Sequence, residues 1–101
     1  MKLNQAIQKK QNIIVEFFTD WSASSFMMSE LLKQLQREYA ARFKVFFINA
    51  DESGPLCAQY RVQKIPTLVF IKQGQVVKIL EGTASRSDMI NLIEKLFLKK
   101  D

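Results

Sequence analysis

The chain has 101 residues, 48% of them hydrophobic, and a formal net charge of +5 at pH 7. This length predicts one domain, residues 1–101, with enough apolar material for a core. A single cysteine, Cys57, excludes an intrachain disulfide and a cysteine-based zinc site, and the absence of histidine excludes Ser-His and Cys-His catalysis. We therefore expect no metal site and no cofactor.

The basic residues are spread along the chain instead of forming one stripe with interleaved aromatic residues, so we expect no nucleic-acid partner. The sequence contains no apolar run of membrane-spanning length, and its N-terminal stretch, MKLNQAIQKKQN, is polar. We therefore expect a cytoplasmic protein without a membrane partner.

The first half of the chain predicts two helices that alternate with two strands. Residues 3–10 have the pattern of two helical turns, and the apolar run at 13–18, IIVEFF, is typical of a strand buried on both faces. A long helix is predicted from Ser24 to Arg42, followed by a second strand at 44–49.

The long helix is indicated by apolar residues spaced three and four apart, namely Met28, Leu31, Leu32, Leu35, Tyr39 and Phe43. Either Ser22 or Ser24 is a suitable N-cap. We interpret the adjacent Met27 and Met28 as core-filling residues.

The second half predicts a short helix, a hairpin and a final helix. The short helix begins at Pro55 and ends near Tyr60, and we interpret Cys57 within it as a small buried residue. Strands at 68–71 and 76–81 flank a turn at 72–75, and the last helix follows at 85–98, where Ser85 and Asp88 have capping-box spacing. This order predicts an α/β fold, with a mixed four-stranded sheet and helices on both faces.

Several motifs resemble those of the thioredoxin family in order and spacing. They are VEFF in the first strand, Trp21, the pair Asn49 and Asp51, Ile65-Pro66-Thr67, the hairpin residue Gly74, and Gly82 before the last helix. The resemblance covers residues 13–98. It implies the thioredoxin-like fold, a cis peptide bond before Pro66, and a peptide-binding surface formed by Trp21, Ile65, Pro66, Gly82 and Thr83.

The chain departs from the family at the redox motif. Where the family has Trp-Cys-Gly-Pro-Cys, this sequence has Trp21-Ser22-Ala23-Ser24-Ser25, so Ser22 and Ser25 occupy the redox cysteine positions. Because a serine hydroxyl is too weak an acid to replace a thiolate, we expect no catalytic residue here. Glu16 stands at the family's buried acid, and we expect desolvation to raise its pKa. The lysine that usually neighbours this acid is replaced by Phe47.

Family members usually begin with an edge strand. In this sequence, the segment before the first helix is too short to form one. Strand 44–49 is then an open, apolar sheet edge, which proteins normally protect. We expect either that residues 1–3 cover it or that two chains form a homodimer along it.

Three functional interpretations follow from these residues. The first is a thioredoxin-like module without dithiol redox activity that binds a protein or an extended peptide. The alternative is a thiol–disulfide oxidoreductase of cell redox homeostasis whose two cysteines were deliberately changed to serine, although Ala23-Ser24 also differs from Gly-Pro. A variant of this enzyme interpretation uses Cys57 as the single reactive thiol. The third is an assembly or chaperone subunit that uses the open edge.

Overall fold

The computed structural model describes residues 2–99. Its elements are helix α1 (Leu3–Gln8), strand β1 (Ile13–Phe18), helix α2 (Ala23–Glu38), strand β2 (Lys44–Asn49), a 3₁₀ turn (Ala50–Glu52), helix α3 (Gly54–Gln59), strands β3 (Thr67–Lys72) and β4 (Gln75–Glu81), helix α4 (Arg86–Ile93) and a π-helical turn (Glu94–Leu98). The predicted element order is confirmed.

The four strands form one mixed sheet in the order β2-β1-β3-β4. Strand β1 runs parallel to β2 and antiparallel to β3, and β3 and β4 form the predicted hairpin. Gln73 and Gly74 both have positive φ in its turn, as a two-residue hairpin loop requires. The α/β fold with a mixed sheet is therefore confirmed.

The central strands β1 and β3 are buried on both faces, which explains their continuous apolar runs. Ile14 and Leu68 point towards α2 and α4, and they pack with Leu32 and Ile93 in one core cluster. Val15 and Val69 point to the opposite face, in a second cluster that includes residues of α1 and α3. The sheet therefore separates two cores. No helix within residues 2–99 is both long and apolar enough to cross a membrane.

Helix α2 begins as predicted and ends earlier. The Ser22 side chain accepts a hydrogen bond from the Ser25 N–H, which identifies Ser22 as the N-cap. The helix ends at Glu38 instead of Arg42, because Ala40 and Ala41 have φ angles of 50° and 64°. The pattern of apolar residues continues past this point without the glycine that usually marks a left-handed helix end.

Glycine at position 41 is expected to stabilise the protein by about 1 kcal/mol, since an alanine Cβ is crowded in the left-handed region and glycine is not. The free energy of unfolding from urea denaturation measures this effect. As a matched control, Ala58→Gly lies within helix α3 and is expected to destabilise by roughly the same amount. If Ala41→Gly also destabilises the chain, Ala41 is not strained.

Strand β2 lies at one edge of the sheet, as predicted, and β1 is its only strand partner among residues 2–99. Leu3 begins helix α1 and packs on the second core cluster, as do Phe46 and Ile48 of β2. Neither Lys2 nor Leu3 forms a strand beside β2. Met1 lies outside the described residues.

Candidate functional site

The predicted binding residues follow or precede strands that end at the same end of the sheet. Phe17 of β1 pairs with Thr67 of β3, and Thr67 also pairs with Glu81 of β4. Trp21 follows the end of β1, the Ile65-Pro66 loop leads directly into Thr67, and Gly82 and Thr83 directly follow Glu81. The pairing register therefore gathers the three segments at one end of the sheet.

Trp21 is 73% exposed, although its indole is anchored. Its Nε1–H donates to Asp51 Oδ2 at 2.9 Å, and the Asp51 N–H donates to Asn49 Oδ1 at 2.9 Å. Asn49 also donates from Nδ2 to Asp20 Oδ2 at 3.4 Å. This network holds a large apolar ring in a defined orientation against solvent, so Trp21 is not a core residue.

The side chains of the two serines at the redox positions accept hydrogen bonds from main-chain N–H groups. Ser22 Oγ accepts from the Ser25 N–H at 3.1 Å, and Ser25 Oγ accepts from the Thr19 N–H at 3.4 Å. Ser25 is also buried, with 1% exposure. The chain contains no histidine that could deprotonate either hydroxyl. The helix start is therefore a capped turn in which neither serine is activated as a nucleophile.

The second segment of the site is the loop before β3. The Ile65–Pro66 peptide bond is cis, Pro66 is buried and Ile65 is half-buried. The Pro66 carbonyl accepts a 2.8 Å hydrogen bond from the Gly82 N–H, and Gly82 has a φ of 86°, which favours glycine. Thr83 beside it is exposed. This bond fixes the two loops to each other, so that Ile65 and Thr83 supply the accessible part of the predicted surface.

Glu16 is fully buried beneath α2, and desolvation raises its pKa to about 7. Ser29 Oγ lies 2.5 Å from Glu16 Oε1, and the same hydroxyl lies 2.9 Å from the Ser25 carbonyl. One hydroxyl proton cannot serve both acceptors. Both contacts are satisfied when Glu16 is protonated and donates to Ser29, which then donates to Ser25. The predicted raised pKa is confirmed.

Within residues 2–99, Glu16 forms no ion pair that offsets its burial. Phe47 is the β2 residue that pairs with Glu16 in the strand register. The nearest cation that lowers the Glu16 pKa is Lys33 of α2, whose effect is smaller than those of desolvation and of the Ser29 hydrogen bond. Lys33 Nζ instead lies 5.7 Å from the centroid of the Phe47 ring and 3.1 Å from Glu30 Oε2. Glu16 is therefore a neutral core residue at low pH.

The first turn of α2 adds exposed apolar groups that the sequence interpretation missed. Met28 is buried in the core as predicted, but Met27 is 69% exposed and Phe26 is 66% exposed. The interpretation of Met27 as core filling is therefore wrong. Phe26 and Phe47 also line an open cavity of about 330 Å³ between α2 and β2.

Cys57 is half-buried in α3, and its Sγ lies 3.7 Å from the Ala50 carbonyl oxygen. Its contacts with the second core cluster fit the packing role that the sequence predicted. Within residues 2–99, no three histidine, cysteine, aspartate or glutamate side chains are grouped closely enough to hold a metal ion.

Comparisons with known proteins agree with this fold and with the sequence motifs. The family described as Thioredoxin matches residues 1–95. A thioredoxin from Haemophilus influenzae is 32% identical over 83 residues, which are 82% of this chain and 78% of that protein. The chloroplastic thioredoxin M-type of Spinacia oleracea is 26% identical over 88% of this chain, which spans only 49% of the spinach protein.

Among solved structures, a mutant thioredoxin from Halobacterium salinarum matches with a TM-score of 0.89 over 98% of this chain and 86% of its own. Its 23% sequence identity makes it evidence for the fold alone. The matching family, the sequence relatives and the sheet topology all identify the same family. The chain belongs to the thioredoxin family.

Proposed function

We propose that this protein is a thioredoxin-fold binding module that recognises an extended segment of a partner protein and performs no dithiol chemistry. The observation that carries the proposal is the anchored, 73% exposed Trp21 beside a helix start in which both redox positions are serine. An exposed aromatic residue of this kind supports recognition of a partner, and serines at positions 22 and 25 lack the thiols that thiol–disulfide exchange needs.

The composition of the surrounding surface supports the same function. Trp21, Phe26 and Met27 expose large apolar side chains within one short stretch of sequence. Such groups are costly to leave in water, and aromatic residues supply much of the binding energy in protein interfaces. Ile65 and Thr83 on the fixed loops supply a second wall, where an extended peptide can pair with main-chain groups.

A peptide selected from a random displayed library on the immobilised protein tests this proposal. Trp21→Ala is expected to weaken its binding at least about tenfold, because the substitution removes the largest exposed apolar contact. Val77→Ala on the exposed surface of β4 is a matched control and is expected to bind normally. A library that yields no binder, or a binder that is indifferent to Trp21→Ala, would refute the proposal.

A second candidate function is protein-disulfide reduction by a form of this chain with cysteines at positions 22 and 25. Its support is that the relatives reported above are called thioredoxins, and that residues 22 and 25 still meet at the start of α2. On this proposal the serines replace the reactive groups of an otherwise intact redox site. The double substitution Ser22→Cys with Ser25→Cys tests this second candidate function.

A further inference from the structure

We propose that two copies of this chain pair antiparallel along β2, around a two-fold axis at Phe47, and so join their sheets into one continuous sheet. The inference goes beyond the peptide-binding function, because it uses the edge strand β2 instead of Trp21 and the loops before β3 and after β4. It rests on the outward main-chain groups of β2, on the apolar composition of the strand, and on the charges of α2 above it.

The unpaired main-chain groups of β2 follow from the register. The Lys44 N–H donates to the Asn12 carbonyl at 2.9 Å, so the main-chain groups of Lys44 point towards β1. Since main-chain groups alternate in direction along a strand, those of Phe46 and Ile48 also point towards β1, whereas those of Val45 and Phe47 point outward. The Asn49 N–H also points outward, and the Asn49 C=O begins the 3₁₀ turn Ala50–Glu52. Within residues 2–99, no other strand pairs with this edge.

The two edges of the sheet differ in protection. Strand β4 has Lys78 near its middle, and the β3–β4 pairing has an irregular register between Phe70 and Ile71. A central lysine and a bulge are devices that discourage edge pairing. Strand β2 has four consecutive apolar residues, Val45 to Ile48, with neither device. It is therefore the edge suited to strand addition.

A two-fold axis restricts the register to pairings centred on one residue of β2, and we place it at Phe47, the exposed large apolar residue of the strand. An axis normal to the sheet keeps the α2 face of both copies on one side, so residues opposite each other must have side chains on the same face. Phe47 and Val45 point to the α2 face, where Phe47 meets Lys33 and Val45 packs on the first core cluster. Centring the axis on Phe47 places Phe47 opposite its own copy and Val45 opposite Asn49.

This register faces the outward main-chain groups of β2 with those of the second copy. The two copies of Phe47 have donors and acceptors that face each other, as a hydrogen-bonded pair of an antiparallel ladder requires, and on either side the Asn49 N–H faces the Val45 C=O. The two Phe47 rings, each 37% exposed in the single chain, become cross-strand neighbours.

Charges on α2 fit a second copy in the same arrangement. Glu30, Lys33 and Arg37 form one exposed stripe along α2, and the Lys33 contact with Phe47 places this stripe above β2. The two-fold axis runs the two copies of α2 antiparallel and brings their Lys33 side chains near each other, where the charge of each Lys33 is offset by its 3.1 Å ion pair with Glu30 of its own helix. Glu30 of each copy then lies on the side of Arg37 of the other, an arrangement of opposite charges that an uncharged peptide strand would not satisfy.

Cysteine crosslinking tests the register in a Cys57→Ser background. Phe47→Cys is expected to give a disulfide-linked dimer on oxidation, because directly opposite Cα atoms lie about 5.5 Å apart and a disulfide accepts about 4.4–6.8 Å. Val45→Cys is the matched control on the same face. It is expected to give no dimer, since two copies of residue 45 are offset by about 13 Å along the strands. Crosslinking through position 45 instead of 47 would overturn the register.

Sedimentation equilibrium of the unmodified chain tests the pairing itself, over about 1 µM to 1 mM. We expect a monomer–dimer equilibrium that Phe47→Lys weakens at least about tenfold, because two like charges then face each other. Ile79→Lys on β4 is a control that leaves the dimer unchanged. A monomer at every concentration would overturn the proposal, as would a dimer that responds to Ile79→Lys but not to Phe47→Lys.

Discussion

Glu16→Gln is expected to raise the free energy of unfolding by about 3 kcal/mol above pH 8 and to change it little near pH 4. Burial raises the pKa of Glu16 in the folded protein to about 7, from an ordinary value of 4.5. The folded state therefore holds a proton that the unfolded state releases between these two values. The stability that neutral Glu16 contributes is therefore fully present below pH 4.5 and is lost as the pH rises to about 7.

Glutamine removes this loss because it has the shape of the protonated acid and does not ionise. Its amide can donate to Ser29 Oγ, which leaves the Ser29 proton for the Ser25 carbonyl at 2.9 Å. Urea denaturation across the pH range measures the effect. Glu52→Gln, which removes the same charge from an exposed position, is a matched control with little expected change. A Glu16→Gln variant that is no more stable than the parent at high pH would contradict a neutral Glu16.

The double substitution Ser22→Cys with Ser25→Cys is expected to create a reversible disulfide and to catalyse insulin reduction by dithiothreitol at least about tenfold above background. Positions 22 and 25 span the start of α2 with three-residue spacing, and the Ser22 side chain already lies 3.1 Å from the Ser25 N–H. Side chains three apart at a helix start lie within disulfide reach. The unpaired N–H groups there also lower a thiol pKa.

Two controls isolate the geometry of this pair, both in a Cys57→Ser background. Ser22→Cys alone cannot form the intrachain disulfide, and Ser22→Cys with Ser24→Cys places the second thiol two residues away, where helix side chains do not face each other. Both are expected to show background rates. If the 22 and 25 pair forms no disulfide, the helix start has lost the redox geometry, and the second candidate function is refuted.

Strand composition and motif order predicted the sheet and most of the site. The run IIVEFF predicted a strand buried on both faces, and burial of Glu16 between apolar neighbours predicted the raised pKa. The spacing of Met28, Leu32 and Leu35 predicted the inner stripe of α2. The same spacing leaves Met27 off that stripe, so its exposure could have been inferred from the helical pattern.

Other features depend on contacts that local sequence does not encode. The Trp21–Asp51 bond joins residues 30 positions apart, and the Ser29–Glu16 contact joins a helix to a strand through a residue that no motif marks. The end of α2 was misplaced because alanine favours helix, whereas chain reversal into β2 forces Ala40 and Ala41 into the left-handed region.

The central claim is that the surface around Trp21 binds an extended partner segment. Amide chemical-shift changes in ¹H–¹⁵N spectra, recorded while the library-selected peptide is added to the ¹⁵N-labelled full chain, test it most directly. The account predicts changes concentrated at Trp21, Phe26, Ile65, Gly82 and Thr83. Changes confined to the β2 edge or to α4, with these five amides unmoved, would contradict it.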